Sequence, residues 1–213
     1  MAVLTWNASG ERFFETGIDK GVLYIDGLPP QIWPGLISVS NSPTGGEFES
    51  NYFDGIKYQA LVAKQEFKST IRTLYVPFEF NRCLGIKQID HEGLNASQQS
   101  LEFFNLAYQT KIGNDIDSIN KGYKIHLIYN AIPTVSDNNF QSISNNLTPN
   151  TLSININTVQ PLVDGKPVSS YRVIDSTKYS VEIMNSLEDI LYGTDTTSPR
   201  FPTPLELITI LGG

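Results

Sequence analysis

The clearest periodicity in the chain lies in Tyr171–Gly193, YRVIDSTKYSVEIMNSLEDILYG. At about 100° per residue, Ile183, Met184, Leu187, Ile190 and Leu191 fall within one arc of roughly 120°, and Glu182, Asn185, Ser186, Glu188 and Asp189 fall outside it. The pattern predicts a one-sided helix over 181–192, entered from a short strand. Ser180 is placed to cap its first turn, Glu182 suits the positive end of its dipole, and Gly193 stands where a terminating glycine belongs. Such a stripe needs a sheet to cover, so the helix reads as a structural brace.

Period-two alternation marks the sheet. Phe104, Leu106 and Tyr108 alternate with Asn105, Ala107 and Gln109; Tyr123, Ile125, Leu127 and Tyr129 alternate with Lys124, His126, Ile128 and Asn130. These runs predict an antiparallel hairpin across the connection GNDIDSINKG, with one apolar and one polar face. Leu152, Ile154 and Ile156 continue the pattern. Gly21–Ile25 and Leu36–Ser40 read as short strands, and Ile56–Val76 as a strand region with Phe67, Ile71 and Tyr75 on one face.

Elsewhere the pattern breaks. Residues 1–20 read as an arm or loop after a short Val3–Trp6 strand, Asn81–Ser97 as irregular, and Pro133–Asn150 as a polar, mobile connection. Asn41–Gly55, NSPTGGEFESNYFDG, is rich in turn formers and reads as a long projecting loop, a length usually reserved for function. Its Phe48, Tyr52 and Phe53 are apolar anchors for a partner. At the end of the chain, Thr203, Pro204 and Glu206 form a capping box before a short helix, Leu205–Leu211, that is apolar on nearly every side. The expected layout is one β-rich domain over 1–192, with a bracing helix at 181–192, and an arm over 193–213. The arm's Pro204, Leu205, Leu207, Ile208 and Leu211 are expected to dock on a neighbouring subunit.

Composition narrows the function. The 213 residues can bury a real core, and charged residues make up only 17%. The formal net charge of −7, with no basic cluster, argues against a phosphate-binding surface. A single cysteine, Cys83, rules out an intramolecular disulfide and a multi-thiolate metal site. The first residues lack the pattern of a signal peptide and no run is long enough for a membrane helix, so synthesis in a cytoplasm is expected.

No catalytic constellation stands out. His126 falls on the polar face of a strand, and His91, between Asp90 and Glu92, reads as a surface turn rather than a metal site, because adjacent side chains diverge. Asp115–Asn120 resembles a calcium loop but lacks its closing glutamate. Cys83 reads as a half-buried thiol, not a nucleophile. No nucleophile elbow, phosphate loop, dinucleotide fingerprint or zinc-protease motif is present. No enzyme activity and no cofactor is expected.

Four stretches together resemble the major tail tube proteins of bacteriophages with long, flexible, non-contractile tails. They are LTWNASGERFFETGIDKGVLY at 4–24, DGIKYQALVA at 54–63, GND…GYKIHLIYNA across 113–131, and IDSTKYS…LEDILYGTD…PRFPTPLELI from 174 to 208. They span nearly the whole chain in the family's order; 41–51 and 133–150 fit least well. The resemblance implies a mainly β fold, a sandwich or barrel-like domain with a flanking helix. Six copies would form a ring, and rings would stack into the virion's tail tube. The implied partners are the chain itself, the proteins at the tube's ends and the tape measure protein. DNA would pass through an acidic lumen without specific binding, and the polar face of strands 104–110 and 123–130 is a candidate lining. A β-sandwich carbohydrate-binding module, with Trp6, Trp33, Tyr52 and Phe53 as a flat aromatic patch, is the alternative; a β-sandwich glycosidase would need two facing carboxylates that the sequence does not single out.

Overall fold

The computed structural model describes residues 6, 8–46, 48–53, 56–62, 65–88, 93–134 and 151–212, with the backbone alone for 48–53 and 56–62. The strands in the first half are β1 (Phe14–Ile25), β2 (Gln31–Ile32), β3 (Leu36–Asn41), β4 (Phe48–Phe53), β5 (Ile56–Val62), β6 (Lys68–Thr73), β7 (Lys87–Gln88) and β8 (Asn95–Ala96). The second half adds β9 (Phe104–Asn114), β10 (Ser118–Thr134), β11 (Leu152–Thr158), β12 (Leu162–Val163), β13 (Lys166–Pro167) and β14 (Tyr171–Asp175), then helices α1 (Val181–Tyr192) and α2 (Pro204–Ile210).

The fold is mainly β, with one large antiparallel sheet and a flanking helix. Its strand order is β2-β1-β9-β10-β11-β6-β3, with β14 also paired to β10. The sheet curls until β1 and β3 touch, but its hydrogen-bonded path stays open and closes no barrel.

The hairpin β9–β10 is the centre of the sheet, as the alternation predicts, but it is longer and tighter. Its strands run to Asn114 and from Ser118, leaving a turn of three residues rather than ten. Asn114 makes this turn by accepting the backbone N–H groups of Ile116 and Asp117 on its side-chain oxygen.

The expected polar face is not solvated. Leu23, Leu106, Tyr108 and Ile128 join one core with Trp33, Ile71, Phe80, Phe104, Ile154 and Ile156, inside the curl. Val22, Tyr24, Ala107, Ile125, Leu127 and Tyr129 join a second core on the opposite face, under α1 and α2. Both faces of β9–β10 are therefore covered, and the run Ile125–Tyr129 is buried throughout. The hairpin cannot expose a whole polar face to a channel. Single polar positions in the alternation mislead because Gln109 and His126 are buried with partners of their own.

Helix α1 forms as its periodicity predicts. The Ser180 hydroxyl accepts the Ile183 N–H at 3.4 Å, and Met184, Leu187 and Leu191 are buried on the sheet. Each such side chain contributes about 1.5–3 kcal/mol of burial. Gly193 ends the helix at φ +79°, where an added Cβ would lie 2.9 Å from the Thr197 carbonyl oxygen and from Pro199. No other residue fits that stop.

Two further expectations change. Residues 14–20 belong to β1, paired with β9, although Gly17 and Lys20 interrupt the ladder with positive φ; of Val3–Trp6 only Trp6 is described, and it is exposed and outside any strand. Phe67 and Ile71 pack in the inner core, but Tyr75 lies beyond the end of β6 and is exposed.

Candidate assembly surfaces and a buried polar network

The segment Asn41–Gly55 is not one long loop. Its second half is β4, which pairs with β5 in a two-stranded sheet of its own, Phe48 opposite Val62 and Phe53 opposite Ile56. Asp54-Gly55 between two strand-like runs is the sequence signal for such a hairpin; the turn formers at 41–46 mask it.

The hairpin grows out of the main sheet's edge. β3 pairs with β6 up to Asn41–Ser69. The Ser42 N–H then reaches the Lys68 carbonyl at 2.8 Å, and Thr44 and Glu66 exchange both backbone hydrogen bonds at 2.9 and 2.8 Å. The β3/β6 pairing thus continues past the edge of the main sheet to Thr44 and Glu66, and the Phe48, Tyr52 and Phe53 positions lie on the separate β4–β5 ribbon.

The terminal helix forms with its predicted cap, the Thr203 hydroxyl accepting the Glu206 N–H at 3.2 Å, but it docks on its own chain. Pro204 and Leu207 are buried, and Ile210 and Leu211 pack against the outer core. Phe201 sits 5.0 Å from the Tyr24 ring and 4.8 Å from the Tyr129 ring. A helix apolar all round has one face for its own core and one left over. Leu205 and Ile208 form the remainder, 54% and 45% exposed.

Of the aromatic patch considered for a glycan, Trp33 drops out. It is 2% exposed, packs 4.9 Å from Phe80, and donates its indole N–H to the Tyr75 carbonyl at 2.8 Å. Asp90, His91 and Glu92 lie outside the described residues. Asp115 is occupied as a clamp, accepting the Gly10 N–H at 3.0 Å, and this bond holds its carboxyl below the usual range. Cys83 is fully buried, and burial pushes its thiol up to about 12, so it is no nucleophile at neutral pH. Among the described residues no three metal-ligating side chains cluster.

The sequence reading missed one constellation. The register of β9–β10 sets Tyr108 opposite His126 and Thr110 opposite Lys124, and β1 brings Glu15 and β14 brings Tyr171 to the same place. Thr110 Oγ1 lies 2.6 Å from Glu15 Oε1 and 2.8 Å from His126 Nε2; His126 Nδ1 lies 2.7 Å from Tyr171 Oη. Lys124 Nζ donates to Glu15 Oε2 at 2.5 Å, and the imidazole stacks on Tyr108 at 4.6 Å, 1° from parallel. The groups border an open concavity of about 540 Å³ together with Ile37, Val39 and Val173. Burial pulls the His126 pKa below its ordinary value, against the opposing pull of Glu15. Burial raises the Glu15 carboxyl, but the hydrogen bonds from Lys124 and Thr110 outweigh it and leave Glu15 below the usual range. Alternate positions i, i+2 carrying Tyr-x-Thr and Lys-x-His on paired strands were the available signal.

No family model and no curated protein matches the sequence. Among solved structures, the chain is similar to one in the cryo-EM structure of the anti-feeding prophage baseplate, 6-fold symmetrised, with 11% identity, TM-score 0.41, and coverage of 80% of this chain and 97% of that one. It is also similar to a chain of the PVC sheath-tube complex of an extracellular contractile injection system in its extended state, with 15% identity, TM-score 0.34, and coverage of 80% and 92%. A third similarity is to a chain of the sheath/tube terminator of that system, with 14% identity, TM-score 0.32, and coverage of 82% and 99%. All three are partial overlaps in chain path at low identity.

Proposed function

We propose that the protein is a structural component of a phage-type tail, and that its copies assemble into hexameric rings stacked head to tail as a tail tube. The observation that carries this reading is the β4–β5 ribbon. A two-stranded hairpin is marginal in water by itself; among the described residues no third strand pairs with β4–β5, and the backbone pairing of Thr44 with Glu66 continues the sheet edge toward it. Such an arm is stable when it lies on a second copy. The outward pair Leu205 and Ile208 offers a second apolar contact on the helical side. The four sequence stretches that resemble tail tube proteins support the same reading.

Stacking is a heterologous contact that does not close, so growth along the axis is open-ended. The ends would be met by other tail proteins, and the lumen would hold the tape measure protein before DNA. Six subunits of formal charge −7 supply a conduit that repels phosphate and lets the genome slide.

Sedimentation velocity over a range of concentrations tests the role of the ribbon. The intact protein should form species larger than a dimer, and a variant with residues 47–63 replaced by a short Gly-Ser turn should stay monomeric while keeping a cooperative thermal unfolding transition. Equal assembly of both would remove the ribbon as the assembly arm.

A further inference from the structure

Two clusters of exposed large hydrophobic side chains lie at opposite ends of β9. At its turn end, Phe14 pairs with Gly113, Phe13 precedes it, and Ile116 and Ile119 lie in and just after the turn into β10. The Ile116 side chain reaches the Gly10 backbone there, 3.1 Å from where a Cβ would stand. At the other end, Leu101 and Phe103 lead into Phe104, the first residue of β9. Leu74, Tyr75 and Phe78 follow the end of β6, and a chain of contacts ties them to the same place. The Trp33 indole donates to the Tyr75 carbonyl at 2.8 Å, its ring lies 4.9 Å from Phe80, and Phe80 lies 5.0 Å from Phe104. The 11 residues of strand, at about 3.3 Å each, hold the two clusters roughly 30 Å apart.

Every one of these side chains is between 41% and 64% exposed. A large aromatic side chain carries about 150–250 Å², so each end leaves on the order of 400–500 Å² of apolar surface in water. A monomer's largest apolar patch is about 300–600 Å² and often functional; this chain has two such areas. A standard interface takes about 800 Å² from each partner, a little over half of it apolar. Each end therefore holds the apolar share of one interface. Ion pairs internal to the chain flank both clusters: Lys87 with Glu102 at 2.9 Å at one end, and Lys121 with Asp117 at 3.3 Å and Lys124 with Glu15 at 2.5 Å at the other. This pairing limits repulsion where two copies of a chain of formal net charge −7 would meet.

We infer that the turn end of one copy docks on the opposite end of the next, Phe13, Phe14, Ile116 and Ile119 covering Leu74, Tyr75, Phe78, Leu101 and Phe103. The inference rests on the head-to-tail stacking proposed above and assigns that stacking its two faces. The occupant is a second copy because the clusters differ and lie at opposite ends. One patch alone would pair with itself and close a dimer, whereas two different patches at opposite ends repeat without closing.

Cross-linking of the full-length protein with a short bis-maleimide tests the assignment. Ile116→Cys and Phe78→Cys each replace an exposed side chain, and the native Cys83 is fully buried, so reaction is confined to the new thiols. An equal mixture of the two variants should give several-fold more cross-linked dimer than either variant alone, and the double variant should give a ladder of higher multimers. Cross-linked dimer from Ile116→Cys or Phe78→Cys alone, at the level of the mixture, would mean like ends meet and would overturn the inference. Sedimentation velocity of the same samples separates the two ways of failing. Large species without cross-links between the two positions would overturn these faces and leave stacking standing; monomer alone in the parent protein at every concentration would overturn both.

Discussion

Tyr24 donates its phenolic O–H to the backbone carbonyl of Leu191 at 2.6 Å, joining β1 to the last turn of α1 across 167 residues of sequence. Carbonyls in the last turn of a helix have no helical partner, and this one is met by the sheet it lies on. The same ring packs against Phe201, so one side chain holds both the brace helix and the terminal segment. Burial raises the phenol's pKa well above its ordinary value and keeps it a donor at every ordinary pH. Tyr24→Phe keeps the ring and removes the donor. It should lower unfolding free energy by about 1–2 kcal/mol, read from urea denaturation of the unassembled protein.

The two sides of the helical layer should respond in opposite ways. Leu187 is fully buried, and Leu187→Ala should cost about 2–5 kcal/mol of stability. Leu205→Asp and Ile208→Asp alter exposed positions and should shift stability by no more than about 0.5 kcal/mol. Their predicted effect is on assembly, seen as a rise in the concentration at which large species form. Unchanged assembly in both Asp variants would remove this face from the interface.

Deleting residues 199–213 removes Phe201 and Leu207 from the outer core. Leu207 is buried and Phe201 partly so; at about 1.5–3 kcal/mol for a fully buried side chain, the expected loss is on the order of 3 kcal/mol, with the monomer's thermal midpoint falling accordingly. A truncated protein as stable as the parent would mean that the helix belongs to a partner after all.

What could be read from the sequence follows from how local each determinant is. The cap at Ser180, the stripe from Ile183 to Leu191 and the stop at Gly193 lie within one helix, and all three are met. The capping box at Thr203 is equally local. Burial is not local: Gln109 looks like a solvent-facing residue until Glu188, 79 residues later, accepts its amide at 3.0 Å. The β4–β5 ribbon went unread because turn formers at 41–46 outweighed one Asp-Gly signal. The Glu15–Thr110–His126–Tyr171 cluster went unread because its members come from four strands. Of the residues expected at an interface, Leu205 and Ile208 are exposed, Pro204 and Leu207 face inward, and Phe48, Tyr52 and Phe53 lie on the ribbon.

If the lumen is acidic, assembled tubes should not retain duplex DNA. Filter binding at physiological salt should show no retention above that of free DNA, because no cluster of lysines and arginines releases counterions from phosphate. Salt-sensitive retention by the tubes would contradict an acidic lining.

The central claim is self-assembly into a tube, and negative-stain microscopy of concentrated, full-length protein tests it most directly. The account predicts rings with six-fold end views, or stacks of such rings with an open channel. A closed dimer as the sole assembly, even at the highest concentration reached, would contradict it.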